Sequence, residues 1–257
     1  MKIKQIRAII KLNIVLRLSD PAVSIILIIV PLIMAPFMIP AAKIQLIAQG
    51  YLHANGSEQV IPGLAVLFSF FSIQLIIQMF FDETTWNTWN RQQVSATSLS
   101  EIIAGKVVVA YTIQLLQLSV VILLSSWLLK FKPNGSCLAF IIIIIEFSAV
   151  LTFFGTLLVS WGKSADIALS LSNLLGILMA GLGGSLSPTS TFPNWAKSLA
   201  KFDPAYWALT AFKKISLEHG GLASINKNLI ILLIMAILFA IFTLIGFYYT
   251  PLKEGND

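Results

Sequence analysis

The chain has 257 residues, of which 57% are hydrophobic and only 11% are charged, and its formal net charge is +6. A soluble domain carries about 25% charged residues, so this composition excludes an ordinary soluble enzyme and a disordered protein. Several apolar runs are long enough for a helix to cross a hydrocarbon core of about 30 Å, which predicts an all-α integral membrane protein whose 257 residues form a single transmembrane domain.

The first predicted element is an amphipathic interface helix over residues 1–20. Lys4, Arg7 and Lys11 share one helical face, and the face roughly opposite is apolar, with Ile6, Ile9, Leu12 and Leu16. Such a helix lies among lipid headgroups, so the net positive charge indicates contact with anionic lipid and not with nucleic acid. Asp20-Pro21 predicts an N-cap and a first helical proline, where the next helix begins.

Six membrane spans are predicted, at residues 22–42, 60–81, 106–129, 137–161, 165–186 and 229–249. Pro31, Pro36 and Pro40 interrupt the first span and predict kinks or an early end. An even number of spans places both termini on one side. The Lys and Arg counts of the two sides are nearly equal, but five positive charges before the first span favour a cytoplasmic N-terminus.

Two of the connecting segments are predicted to be helical hairpins. In residues 82–101, Trp86 and Trp89 share a helical face, and Ser98-x-x-Glu101 resembles a capping box that starts a second short helix. The two tryptophans either anchor in lipid or dock in a partner's cleft. In residues 188–215, Pro193 and Asp203-Pro204 each start a short helix among aromatic residues, which predicts a hairpin that re-enters the membrane from outside.

Polar residues within the spans are candidates for a translocation path: Gln74, Gln78, Gln114, Glu146 and Asn173. Glu146 is the ionisable residue deepest in a span, and such residues often mark a pathway. The alternative is a structural hydrogen bond to a neighbouring helix, through Gln114 or Gln117.

A stripe of small residues spaced by four marks the fifth span: Ser172, Gly176, Ala180 and Gly184. Small residues allow two helix backbones to approach closely. The stripe therefore predicts close packing, either within the monomer or at a dimer seam or translocation wall.

Catalytic chemistry is not indicated by any motif. Gly162-Lys163-Ser164 resembles the end of a phosphate-binding loop, but Leu157 replaces the required glycine and the sequence lies at the end of a span. No catalytic residue and no metal site are predicted.

The order of these elements resembles the membrane (permease) subunits of type 2 ABC exporters. The segment from Glu83 to Lys106 is similar to a family motif through Glu83, Thr88, Arg91, Gly105 and Lys106. A second similarity runs through Gly183-Gly184, Pro188, Pro193, Trp195, Pro204 and Trp207.

The resemblance implies a half-transporter in a bacterial plasma membrane, with both termini cytoplasmic. It would dimerise with a second copy or a homologous permease and bind two copies of a separate ABC ATPase, which hold ATP and Mg; this chain would bind no cofactor. The coupling role falls on residues of the 82–101 hairpin: Glu83, Trp86, Thr88, Trp89 and Arg91.

Three classes of function are open to such a membrane protein: an ATP-driven exporter, a secondary transporter, and a sensor or assembly component. An ATP-driven exporter of an amphipathic or hydrophobic substrate, such as an antimicrobial or toxin-like peptide or a lipophilic drug, fits the apolar spans and the resemblance. A lipid or lipid-linked glycan is the alternative cargo. A secondary transporter should show an internal repeat and paired intramembrane charges, which are not seen. A sensor or assembly component would not depend on an ATPase.

Overall fold

The computed structural model of the chain describes residues 3–85 and 98–249. These residues form ten α-helices and one short 3-10 helix, and no strand occurs among them. The helices are α1 (Ile3–Ser19), α2 (Ala22–Ala48), α3 (Ser57–Phe71), α4 (Ile73–Thr85), α5 (Leu99–Leu128), α6 (Cys137–Trp161), α7 (Ala165–Gly183), α8 (Asn194–Ala200), α9 (Pro204–Leu217) and α10 (Leu222–Tyr249), with the 3-10 helix at Thr189–Thr191.

Six helical segments in this part of the chain are long and apolar enough to cross a membrane. Helices α3 and α4 together form one of them, Ser57–Asp82, which bends at Ser72. This span lies at the centre of the bundle, since α2, α5, α6, α7 and α9 all pack against it. The outer spans α2, α7 and α10 expose most of their apolar side chains. The expectation of an all-helical, multi-pass membrane protein is therefore confirmed.

Several predicted boundaries are wrong. The first span does not end near Ala42, because α2 continues through three prolines to Ala48; each proline removes only one backbone donor, and an apolar environment strongly favours continued helix. The sixth span begins at Leu222 and not at Leu229. Its first turns are polar because they dock on α9, where the Asn228 amide donates to the Trp207 carbonyl at 2.8 Å.

The two ends of the bundle carry different elements. At one end, here called the α1 side, α1 packs on the first turns of α5, Arg17 of α1 reaches the Leu75 carbonyl of α4, and the rings of Phe80 and Phe247 stack at 5.9 Å. At the other end, the hairpin side, the end of α9 and the residues after it meet the loops before α3 and α6. There the Ser136 N–H donates to the Gly220 carbonyl at 3.1 Å, and the Tyr51 hydroxyl donates to Glu218 at 3.0 Å.

Helix α1 is present, but its inner face differs from the prediction. Leu12 and Leu16 are exposed, whereas Asn13 is buried and Arg17 is half-buried. The helix packs on α5, so protein contact and not only lipid decides its orientation. Asp20 makes no side-chain cap for α2, whose N-cap position is Pro21.

Candidate functional site

The predicted coupling residues mostly lie outside the described part of the chain. Residues 86–97 are not described, and they include Trp86, Thr88, Trp89 and Arg91. The structure also does not describe the side chain of Glu83. What the structure does describe is how the two helices that flank this segment are held, through carbonyl groups of α4 and the first turns of α5.

The start of α5 is fixed at Ser98. The Ser98 N–H donates to the Glu101 carboxylate at 3.1 Å, at the capping-box positions that the sequence indicated. The predicted short second helix is not separate, because α5 runs without interruption from Leu99 to Leu128. One rigid helix therefore extends from the edge of the 82–101 segment into the membrane.

Gly105 and Lys106, the last two residues of the family-like motif, both make close contacts with neighbouring helices. A Cβ atom on Gly105 would lie 2.8 Å from Cγ2 of Ile9, so glycine allows α1 to lie directly on α5. The buried Lys106 side chain crosses to α4, where Nζ donates to the Met79 carbonyl at 2.9 Å and lies 4.7 Å from the centre of the Phe80 ring.

Arg17 makes a matching contact from α1. Its Nη2 donates to the Leu75 carbonyl at 2.5 Å, one turn before the carbonyl that Lys106 binds. Burial lowers the pKa of Arg17, and the carboxylates of Asp82 and Asp20 oppose that shift. Each carbonyl has a second lone pair that the helix leaves free. Two cations, from α1 and α5, therefore hold consecutive turns of α4. The sequence pattern did not predict this role for Arg17 or Lys106.

The polar candidates within the spans divide into two groups. Gln74 and Gln78 are half-buried on α4, Asn173 is exposed on α7, and none of the three has a hydrogen bond within the described residues. Phe70 faces Gly176, with an added Cβ 3.2 Å from the Phe70 Cβ. Because α4 and α7 run antiparallel and each residue adds about 1.5 Å, Gln74 and Asn173 lie at similar depth on neighbouring helices.

Gln114 and Glu146 do not join that group. Gln114 is fully buried, and its Oε1 accepts from the Ser72 hydroxyl at 2.7 Å, at the bend between α3 and α4. Glu146 is half-buried on α6, and its Oε2 has no hydrogen-bond partner among the described residues. No bond from Glu146 to Gln114 or Gln117 occurs among the described residues; Gln117 donates instead to the Leu27 carbonyl at 2.7 Å.

The small-residue stripe of α7 faces the interior of the same chain. Ser172, Gly176 and Ala180 are buried, and α7 packs there against α3, α4 and α9. Gly184 is not part of the helix: it ends α7 with a φ of +98°, which favours glycine. In this structure the three buried residues pack within the monomer, and a role of the stripe at a dimer seam or translocation wall stays a prediction.

The two short helices of the 188–215 segment form as predicted, although α7 ends before Gly184 and not at Leu186. Asp203 Oδ1 accepts from the Ala205 N–H at 2.8 Å and caps α9. Burial raises the pKa of Asp203 to about 8, and the bond from Ala205 opposes that shift. Whether this hairpin enters the membrane stays a prediction.

Comparisons with known proteins agree with this architecture. The family model described as ABC-2 type transporter matches residues 4–217, which includes α1 and all elements through α9. The linearmycin resistance permease protein LnrN of Bacillus subtilis (strain 168) is 23% identical over 181 residues, 69% of this chain and 46% of that protein. The chain thus aligns with about half the length of this relative. No solved structure matches this chain. The chain belongs to the ABC-2 type transporter family of membrane proteins.

Proposed function

We propose that the chain is the membrane-spanning subunit of an ATP-driven exporter. Two copies, or one copy and a homologous permease, form the translocation path, and two copies of a separate ABC ATPase bind at the α1 side in the cytoplasm of a bacterial cell. ATP and Mg belong to the ATPase. Membership of the ABC-2 type transporter family supports a transport role for this chain and an ATPase in another chain.

One observation carries the coupling part of this proposal: α4 and α5, the helices that flank residues 82–101, are hydrogen-bonded to each other, and α4 is also hydrogen-bonded to α1. Lys106 of α5 and Arg17 of α1 bind the carbonyls of Met79 and Leu75 in α4. A displacement of the 82–101 segment would therefore move α1, α4 and α5 as a unit. Because α4 continues α3, the movement would reach the central span and the polar side chains beside α7.

The proposed cargo is an amphipathic or hydrophobic compound moved outward, such as a toxin-like peptide or a lipophilic drug. Support comes from the α4 and α7 surface, where the amides of Gln74, Gln78 and Asn173 lie among apolar residues. The name of the related Bacillus subtilis permease refers to linearmycin resistance, which agrees with an export role. A lipid or lipid-linked glycan is the competing cargo.

The outward face of α7 is the proposed contact with the second permease, since the stripe face is already occupied. Leu174 and Leu178 are exposed on it, next to Asn173. In a Cys137→Ser background, cysteines at Leu174 or Leu178 should cross-link two copies. A cysteine at Leu238 on α10, which is similarly exposed, is the matched control and should not. Equal cross-linking at all three positions would contradict this placement.

The coupling proposal is tested by changing the two tryptophans of the 82–101 segment. Truncating a buried aromatic anchor costs about 2–4 kcal/mol of binding, which is roughly a 30- to 1000-fold loss of affinity. The Trp86→Ala/Trp89→Ala double variant should therefore retain little of the co-expressed ATPase in pull-down and should lose transport-coupled ATP turnover in reconstituted membranes. Trp127→Ala/Trp195→Ala changes two exposed tryptophans of the hairpin side and should behave like wild type.

Two outcomes would redirect the proposal. If the tryptophan variant binds and couples normally, these residues anchor in lipid and the coupling contact lies elsewhere. If no ATPase co-purifies with the wild-type chain under any nucleotide condition, the exporter function itself is wrong and a sensor or assembly role remains.

A further inference from the structure

A cavity of about 400 Å³ opens at the hairpin side, between the start of α3, the end of α7 and the α8–α9 hairpin. Its volume falls in the usual range of small-ligand sites. Three lysines line it, Lys197, Lys201 and Lys213, together with hydroxyl groups that include Thr189 and Thr210. We call it the lysine cavity. Its lining residues do not include Gln74, Gln78 or Asn173 of the α4–α7 surface.

The charge of the lysine cavity is strongly positive. Among the described residues that line it, the one carboxylate is that of Glu58, which is buried and turned toward the backbone, where it accepts from the N–H groups of Asn55 at 3.2 Å and Gly56 at 3.0 Å. Its charge also lies in the first turn of α3, at the positive end of the helix dipole. The ammonium groups of Lys197 and Lys201 have no hydrogen bond or ion pair within residues 3–85 and 98–249. The cavity therefore holds cationic groups without anionic partners.

Lys213 is held in position by uncharged groups. Its Nζ donates to Oε1 of Gln49 at 3.2 Å and lies 5.1 Å from the centre of the Tyr51 ring. The Tyr51 hydroxyl in turn donates to Glu218. Burial lowers the pKa of Lys213, and Glu218 opposes that shift. An ammonium group carries three donors, so Lys213 keeps donors for a ligand, and an anion would offset part of its desolvation.

The outer surface of the same hairpin is suited to the membrane interface. Trp195, Leu199 and Phe202 are all well exposed, at a spacing of three to four residues that places them on one face. Lys197 and Lys201 are spaced by four on a different face and line the cavity. Exposed tryptophan and apolar residues beside lysines are typical of segments at headgroup level.

We propose that the lysine cavity binds the phosphate group of an anionic phospholipid headgroup. A phosphate has several acceptor oxygens, which can accept from the ammonium groups of the α8–α9 hairpin and from the threonine hydroxyls that line the same cavity. The apolar face of α8 keeps the hairpin in the layer where such headgroups lie. This binding is independent of the exporter function proposed above.

The test uses the purified full-length chain in a neutral detergent, with phosphatidylglycerol and phosphatidylcholine titrated in native mass spectrometry. Lys197→Gln/Lys201→Gln should weaken phosphatidylglycerol binding about 30-fold, on the order of fivefold for each lysine. Lys132→Gln/Lys163→Gln removes the same charge at exposed positions outside the cavity and should leave binding unchanged. Lys197→Arg/Lys201→Arg should also retain binding, which separates loss of charge from misfolding.

Inorganic phosphate alone distinguishes the two sources of this chemistry. Failure of millimolar phosphate to compete supports a lipid headgroup, whereas saturable phosphate binding that displaces the lipid assigns the cavity to the free ion and overturns the lipid assignment. Equal affinity for phosphatidylcholine, or equal loss in the Lys132→Gln/Lys163→Gln control, would overturn the proposal entirely.

Discussion

Gly183→Ala should destabilise the protein, although alanine is normally the better residue in a helix. Gly183 is the last residue of α7 and packs against the start of α9. A Cβ atom there would lie 2.4 Å from the Cβ of Ala205 and 2.9 Å from the Tyr206 nitrogen. Ordinary contact begins at 3.4 Å, so the two helices would have to separate by about 1 Å.

The magnitude follows from two opposing effects. Overpacking of a close contact typically costs about 1–3 kcal/mol, and replacing a helical glycine by alanine returns at most about 1 kcal/mol. The two contacted atoms are the Ala205 Cβ and the Tyr206 backbone nitrogen. Neither can move away by a side-chain rotation, because both are fixed by the backbone at the start of α9. We therefore expect a net loss of about 1–2 kcal/mol.

Gly181→Ala is the matched control, because Gly181 lies in the same helix and an added Cβ would have nothing within 4 Å. It should leave stability unchanged or raise it by up to about 1 kcal/mol. The assay is unfolding of the purified chain in detergent, by heat and by a denaturing detergent, for wild type and both variants. If Gly183→Ala is as stable as Gly181→Ala, α7 and α9 do not touch closely and the packing described for this end is wrong.

Three further predictions concern the Lys106 contact, the buried carboxyl group of Asp203 and the orientation in the membrane. Lys106→Gln should destabilise the chain by about 1.5–3 kcal/mol in the same assay, while Lys163→Gln at an exposed position should not; equal effects would discount the contact to Met79. Burial raises the pKa of Asp203, so stability should fall as pH rises from about 4 to 8, and Asp203→Asn should flatten this dependence in unfolding at several pH values. In a Cys137→Ser background, an impermeant maleimide should label Ser190→Cys in intact cells and Lys163→Cys only after lysis; the reverse would invert the predicted orientation.

The sequence by itself determined the class of protein and most of its spans. Six apolar segments of this length are expected to cross a membrane as helices, because a helix satisfies its backbone hydrogen bonds within the segment and lipid offers no other partners. The sequence also predicted two helix starts correctly: Ser98 and Glu101 begin α5, and Asp203 caps α9. The cap predicted at Asp20 does not form. The fourth span has the predicted ends, Cys137–Trp161, since Ser136 caps it and Gly162 follows it.

What each face of a helix touches was decided only by the tertiary structure. Spacing by four indicated that Ser172, Gly176 and Ala180 share a face, but not that α3 of the same chain occupies it. Hydropathy marked Gln114 and Asn173 alike as polar residues in spans, yet one is fully buried against Ser72 and the other is exposed. Arg17 and Lys106 reach carbonyl groups 58 and 27 residues away, and such long-range bonds depend on how the helices are arranged, which no local pattern encodes.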